Sequence, residues 1–194
     1  MLKLLLAVTP NHVLSVIVAS HAAPRLEIAA NNGHNQAPFD GIDFMTLTFE
    51  HFQPGHLGTY GPRHVTREEI IAFAREYDPQ PMHLDDEAAN ASLLKGLAGS
   101  GWHMCALMMR MMFDGFLHET ASMGSPGVDE MKWLAPFRPG DELMLDVEVV
   151  EARASKSRPS TGIVTFKCST RNAKGPVAEM TVAVIISRAV VEPA

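Results

Sequence analysis

From Trp102 to about Leu117 the chain is apolar almost all round, with Met104, Ala106, Leu107, Met108, Met109, Met111, Met112, Phe113 and Phe116 leaving a thin polar side. A helix without a broad polar face belongs in the middle of a fold, so the rest of the chain must be able to surround it. Arg110 and Asp114 stand four apart on the polar side and are expected to pair with each other. The run of methionines reads as adaptable core packing.

The material to cover that helix follows it directly. After Gly124, Pro126 and Gly127 the periodicity changes from helical to alternating, which predicts strands over Val128 to Leu134, Leu143 to Ala152, Gly162 to Thr170 and Val177 to Ser187. Leu143, Leu145, Val147 and Val149 share one face of the second strand, and Val164, Phe166 and Cys168 share one face of the third. Turn residues separate them at Pro136 to Gly140, Ser157 to Ser160 and Asn172 to Gly175.

Ahead of the long helix, Thr46 to Phe52 reads as a short strand, and Pro54, Gly55, Gly58, Gly61 and Pro62 as a loop. Thr66 with Glu69 three positions on is a capping box, opening a helix with Ile70, Phe73, Ala74 and Tyr77 on one face. Asp78 ends it, because a residue before proline is pushed out of the α region. Asp85 and Asp86 can cap a short helix running to about Leu94. Strand, helices, one long buried helix and then antiparallel strands form an α+β pattern, without the βαβ alternation of doubly wound folds. A curved antiparallel sheet wrapped around a long central apolar helix is the hot-dog fold. It is expected as a single domain over residues 45–190, since 194 residues suit one core of ~100–200 residues.

Residues 1–44 read separately. Lys3, the apolar run Leu4 to Val8 and a second run from Val13 to Ala19 imitate a secretory signal, but Pro10, Asn11 and His12 split them. The segment is expected to be a poorly ordered extension or a degenerate signal. Neither run reaches the ~18 residues of a membrane span. Two features narrow the partners. The net charge is -6 with Lys and Arg scattered singly, which excludes a basic stripe for nucleic acid. Cys105 and Cys168 read as small buried hydrophobes in a reducing, cytoplasmic setting.

The motifs of common enzyme classes are missing: no phosphate-cradling Gly-Lys-Ser/Thr loop, dinucleotide fingerprint, Gly-x-Ser-x-Gly elbow or His-Glu-x-x-His helix. The nine histidines contain no i, i+4 helical pair, so no metal site is expected. The informative stretch is Tyr77-Asp78-Pro79-Gln80-Pro81-Met82-His83-Leu84-Asp85, followed eighteen residues after His83 by Gly101 at the head of the long helix. These residues resemble the MaoC-like, (R)-specific enoyl-CoA hydratase family, whose motif is Asp-x-Asn-Pro-x-His. Asp78, Pro81 and His83 match it in register, and Ser125-Pro126-Gly127 and Arg138-Pro139-Gly140-Asp141 are also similar to the family. Gln80 stands where the motif has Asn, and Ser100 where a His is often seen.

The resemblance implies a hydratase or dehydratase acting on a trans-2-enoyl thioester of coenzyme A or acyl carrier protein, with no cofactor. Adding water to C3 requires a base for the water, an acid for C2 and donors for charge on the thioester oxygen. Asp78 and His83, on a proline-stiffened loop, are the candidate acid/base pair, with the assignment between them open. The apolar surroundings are expected to raise the Asp78 pKa. Gly101 is the candidate oxyanion donor, through the unpaired N–H and dipole of a helix N-terminus. Its lack of a side chain would let the thioester approach closely. Pro81, Ser100, Trp102 and His103 are candidate substrate contacts, and Lys95, Lys132, Arg138, Lys156 or Arg158 could receive coenzyme A phosphates. A lone hot-dog domain leaves an open sheet edge, so a homodimer is expected. The alternatives are a hot-dog acyl-thioesterase and a non-catalytic acyl-ligand-binding or regulatory protein.

Overall fold

Alternating burial builds the sheet of this computed structural model, which describes residues 47–189. The expected extension at 1–44 lies outside the described residues. Strand β3 (Glu142–Ala154) buries Leu143, Leu145, Val147 and Val149, and β4 (Thr161–Asn172) buries Val164, Phe166 and Cys168, as their period of two predicts. Strand β5 (Gly175–Ser187) continues the meander, and β2 (Gly127–Trp133) pairs with its far side. The five strands run in the order β1-β3-β4-β5-β2, and every neighbouring pair is antiparallel.

Strand β1 (Gly55–His64) corrects the reading of its segment as a loop. Four glycines and prolines sit in it, and its register with β3 slips between His56 and Gly58 and between Tyr60 and Arg63. An edge strand tolerates this, because its outer N–H groups have no ladder to serve and bulges absorb the extra residues. The expected strand at Thr46 to Phe52 is instead a short 3-10 turn at Phe49–His51, among the described part of that segment. Phe52 still packs inward, edge-on to Phe166 at 5.6 Å.

Helix α1 (Arg67–Tyr77) starts on Thr66, whose hydroxyl accepts the Glu69 N–H at 3.1 Å. The Glu69 carboxylate does not complete the box; it pairs with Arg63 at 2.8 Å. Ile70 and Ala74 are buried on the predicted face, while Tyr77 at its end is 65% exposed. Helix α2 (Asp86–Ala91), capped by Asp85, is shorter than expected. The long apolar helix, α3 (Gly101–Gly115), lies on the concave side of the sheet, with Phe116 against Phe166 at 5.2 Å and Met112 against Cys168. Burial of Cys168 pushes its thiol up to about 12.

One expectation for α3 holds only in part. His103, Met104, Leu107, Met108, Met111 and Met112 are buried, but Trp102, Met109 and Phe113 lie exposed on the outer face beside the Arg110–Asp114 pair. An open five-stranded sheet covers one side of a helix, so a nearly all-apolar sequence leaves an apolar strip outside. No helix among the described residues is long and apolar enough to cross a membrane.

Candidate active site

Four chain segments meet at the start of α3. Asp78 caps the end of α1, its N–H bonding the Ala74 carbonyl at 3.0 Å. Pro79 and Pro81 then carry the backbone into a 3-10 turn at Pro81–His83, closed by Leu84 N–H on the Pro81 carbonyl. This rigid turn drives the His83 ring inward, where it is 7% exposed. Its Nδ1 lies 2.8 Å from the Ala98 carbonyl. A carbonyl can only accept, so Nδ1 carries the proton and Nε2 is the nitrogen free to gain or lose one.

Nε2 of His83 faces Asp78 Oδ2 at 3.6 Å. That separation is longer than a hydrogen bond. The Asp78 carboxylate itself is clamped. Gln80 Nε2 donates to Oδ1 at 2.7 Å, and the Ser100 hydroxyl donates to Oδ2 at 2.6 Å. Ser100 is the N-cap of α3 and accepts the Trp102 N–H at 3.2 Å, so one hydroxyl ties the carboxylate to the head of the central helix.

These donors reverse the expected electrostatics of Asp78. The Ser100 hydroxyl holds its carboxyl below the ordinary value, Gln80 and a nearby His83 add to this, and burial opposes it without prevailing. Hydrogen bonds that favour the ionised form outweigh apolar surroundings at a group that keeps 15% of its side chain exposed.

His83 and Gly101 line a cleft of about 270 Å³, together with Gly99, Met104, Trp133 and Phe137 among others. Asp78 is not part of its lining and meets it through His83 and Ser100. Gly101 occupies the first turn of α3, as expected, but the room left by its missing side chain is filled by the Trp133 indole. The other candidates fall elsewhere. Pro81 is exposed and shapes the turn, Ser100 is buried behind the cleft, and Trp102 points outward at 64% exposure. His103 is buried but outside the lining, stacked on Phe73 at 4.6 Å with its Nδ1 unpartnered, and burial holds its pKa down. Arg138 donates to the Leu94 and Leu97 carbonyls, and Lys132 pairs with Glu130, so neither charge is idle at the cleft.

Trp133, Leu134, Ala135, Pro136 and Phe137, a continuous wall of the cleft, escaped the sequence reading. The signal was the spacing of Gly99 and Gly101, two positions where a side chain would collide with an aromatic ring. Among the described residues no group of three or more His, Cys, Asp or Glu side chains is arranged to hold a metal ion.

Comparison with known proteins decides the ancestry of this arrangement. The family model described as MaoC like domain matches residues 53–172, more than half of the chain. The chain belongs to the MaoC-like domain family. The crystal structure of the MaoC-like dehydratase from Rhodospirillum rubrum is 40% identical, with a TM-score of 0.69 over 75% of this chain and 99% of that one. The R-hydratase PhaJ1 from Pseudomonas aeruginosa, unliganded, shares the fold at a TM-score of 0.61, with 18% identity over 77% of this chain and 96% of its own. An uncharacterized protein of Bacillus subtilis, YdeM, is 32% identical over 111 residues, 57% of this chain and 77% of that protein. The architecture is therefore the hot-dog fold of MaoC-like dehydratases and hydratases.

Proposed function

We propose that this MaoC-like protein hydrates a trans-2-enoyl thioester, or dehydrates the 3-hydroxyacyl thioester in reverse. The observation that carries the reading is the facing of His83 Nε2 and Asp78 Oδ2 at 3.6 Å beside the first turn of α3. In the forward direction the oxygen of water bonds to C3, C2 takes a proton and the C–S bond stays intact. Asp78 and His83 serve as the acid/base pair. His83 lines the cleft and so meets the acyl group directly, with its tautomer set by Ala98. Asp78, kept ionised by Ser100 and Gln80, is a fixed proton acceptor and stabilises a charged imidazole. Charge that develops on the thioester oxygen is met by the amide end and dipole of α3 at Gly101.

The carrier is coenzyme A or an acyl carrier protein, as for the enzymes that the family resembles. A second copy of the chain is the partner that fits the open edge strand β2 and the adjoining apolar strip of α3. The test is a panel of enoyl-CoA esters followed at the absorbance of the conjugated double bond, with a thiol reagent present. Loss of absorbance without free thiol, abolished in Asp78→Asn, is the expected result. Release of thiol would mark a thioesterase, and binding without turnover a non-catalytic acyl-ligand protein.

A further inference from the structure

Both aromatic walls of the cleft rest on glycines. A Cβ at Gly99 would lie 1.9 Å from Cζ of Phe137, and one at Gly101 would lie 2.6 Å from Cε2 of Trp133. Each ring is laid against bare backbone on either side of Ser100, so the position of the rings sets the width of the cleft where α3 begins. The two rings differ in freedom. Phe137 is 2% exposed and meets the His103 ring edge-on at 5.5 Å. Trp133 is 52% exposed at the end of an edge strand, and its ring neighbour is the outward-facing Trp102 at 5.7 Å. The backbone after it is tethered, with Leu134 and Ala135 N–H both on the Val177 carbonyl at 2.8 and 3.1 Å. Only the indole is left to adjust.

We propose that the Trp133 indole is the specificity-determining group of this cleft, closing it beside Gly101 so that it admits thioesters of short acyl chains. The cleft volume of about 270 Å³ sits just under the ~300–1,000 Å³ of ordinary ligand pockets. Apart from His83 the lining is apolar and carries no Lys or Arg, which suits an unsubstituted hydrocarbon chain rather than a second carboxylate. This inference rests on the enoyl-thioester reading of the site and names its substrate class.

The experiment is kcat/KM for enoyl-CoA esters of four to ten carbons with the wild type, Trp133→Ala and Trp133→Phe. A methylene in an apolar pocket is worth roughly tenfold or more in discrimination. The wild type is expected to favour the four-carbon ester over the ten-carbon one by at least about tenfold. Trp133→Ala is expected to raise the long-to-short ratio by at least about tenfold, chiefly through KM. Equal use of both esters by the wild type, or a ratio within about twofold of wild type in a folded Trp133→Ala, would overturn the proposal. Should circular dichroism show Trp133→Ala unfolded, Trp133→Phe decides, with a smaller shift in the same direction expected and an unmoved ratio counting against.

A binding arm separates this from the catalytic reading. The chain has two tryptophans, so in a Trp102→Phe background the remaining emission reports Trp133. Quenching by butyryl-CoA at lower concentration than by decanoyl-CoA supports the proposal even if no enoyl ester is turned over. Quenching by both at the same concentration, or by neither, sinks it.

Discussion

At one side of the cleft the polar atoms are tied down: His83 Nδ1 to a carbonyl, and both Asp78 oxygens to the donors Gln80 and Ser100. At the other side the Trp133 indole is half exposed and held by ring contact against a glycine. Proton transfer needs groups fixed to within a fraction of an ångström, which buried hydrogen bonds to backbone and caps supply. On the proposed reading, selection among acyl chains needs only a barrier of the right size, which the Trp133 ring on its edge strand would supply without touching the Asp78–His83 pair.

The strongest way to break this contrast is to neutralise the clamped carboxylate. Asp78→Asn keeps the shape but sets a non-accepting amide nitrogen against one of the donors Gln80 and Ser100, so a fall in kcat/KM of at least ~10²-fold with the fold retained at some loss of thermal stability is expected in the enoyl-CoA assay. A turnover equal to wild type would remove Asp78 from the chemistry. Phe137→Ala empties the fixed wall beside Gly99, and urea unfolding should show a loss of about 3–5 kcal/mol. That loss would set Phe137 apart from Trp133 as core rather than gate.

Ser100→Ala sharpens the contrast from the polar side, with a fall in rate of about tenfold at neutral pH expected. Its more telling effect is on the pH profile of kcat/KM. Asp78 is held below its ordinary value, chiefly by Ser100, so the ionised form survives into acid and activity is lost only as pH falls through that lowered value. Without the hydroxyl, burial pushes the carboxyl back up and the acid limb moves to higher pH, while Ser100→Thr restores it. The same sign governs stability: a lowered carboxyl pKa contributes stability above its unfolded value that is lost as pH falls. An acid limb unmoved in Ser100→Ala would show that the cap does not tune Asp78.

His103 provides the smallest test. Burial lowers its pKa and its Nδ1 has no partner, so folding is disfavoured once the unfolded chain takes up the proton. His103→Leu should match the wild type near neutrality, within about 1 kcal/mol, and exceed it as pH falls below the ordinary histidine value, by thermal unfolding. A variant less stable at every pH would mean that the ring nitrogen does more than occupy space. Light scattering at micromolar concentration completes the set, with a dimer expected if the α3 strip and the β2 edge are covered by a second copy.

Much of the fold was legible because its signals are local. Period-two burial in β3 and β4, the Thr66 cap of α1 and the continuous apolar run of α3 each depend on a handful of neighbouring residues. Strand β1 was not legible, because its glycines and prolines carry a loop signature that only an edge position and two register slips make compatible with a strand. The Asp78–His83 pair was legible through motif spacing and a proline-stiffened turn. The direction of the Asp78 pKa was not, since it depends on Ser100 reaching across twenty-two positions.

By itself the sequence determined strands β3 and β4, the start of α1, the long apolar helix, the family motif and the two groups that face each other, since short-range periodicity and a rigid five-residue spacing leave little freedom. The tertiary structure alone decided that α3 keeps an apolar face outside, that the buried Ser100 hydroxyl donates to the Asp78 carboxylate, and that Trp133 fills the space at Gly101. These are contacts between segments far apart in the chain. Their geometry follows from how a curved, open sheet packs on one helix, which no local pattern of residues encodes.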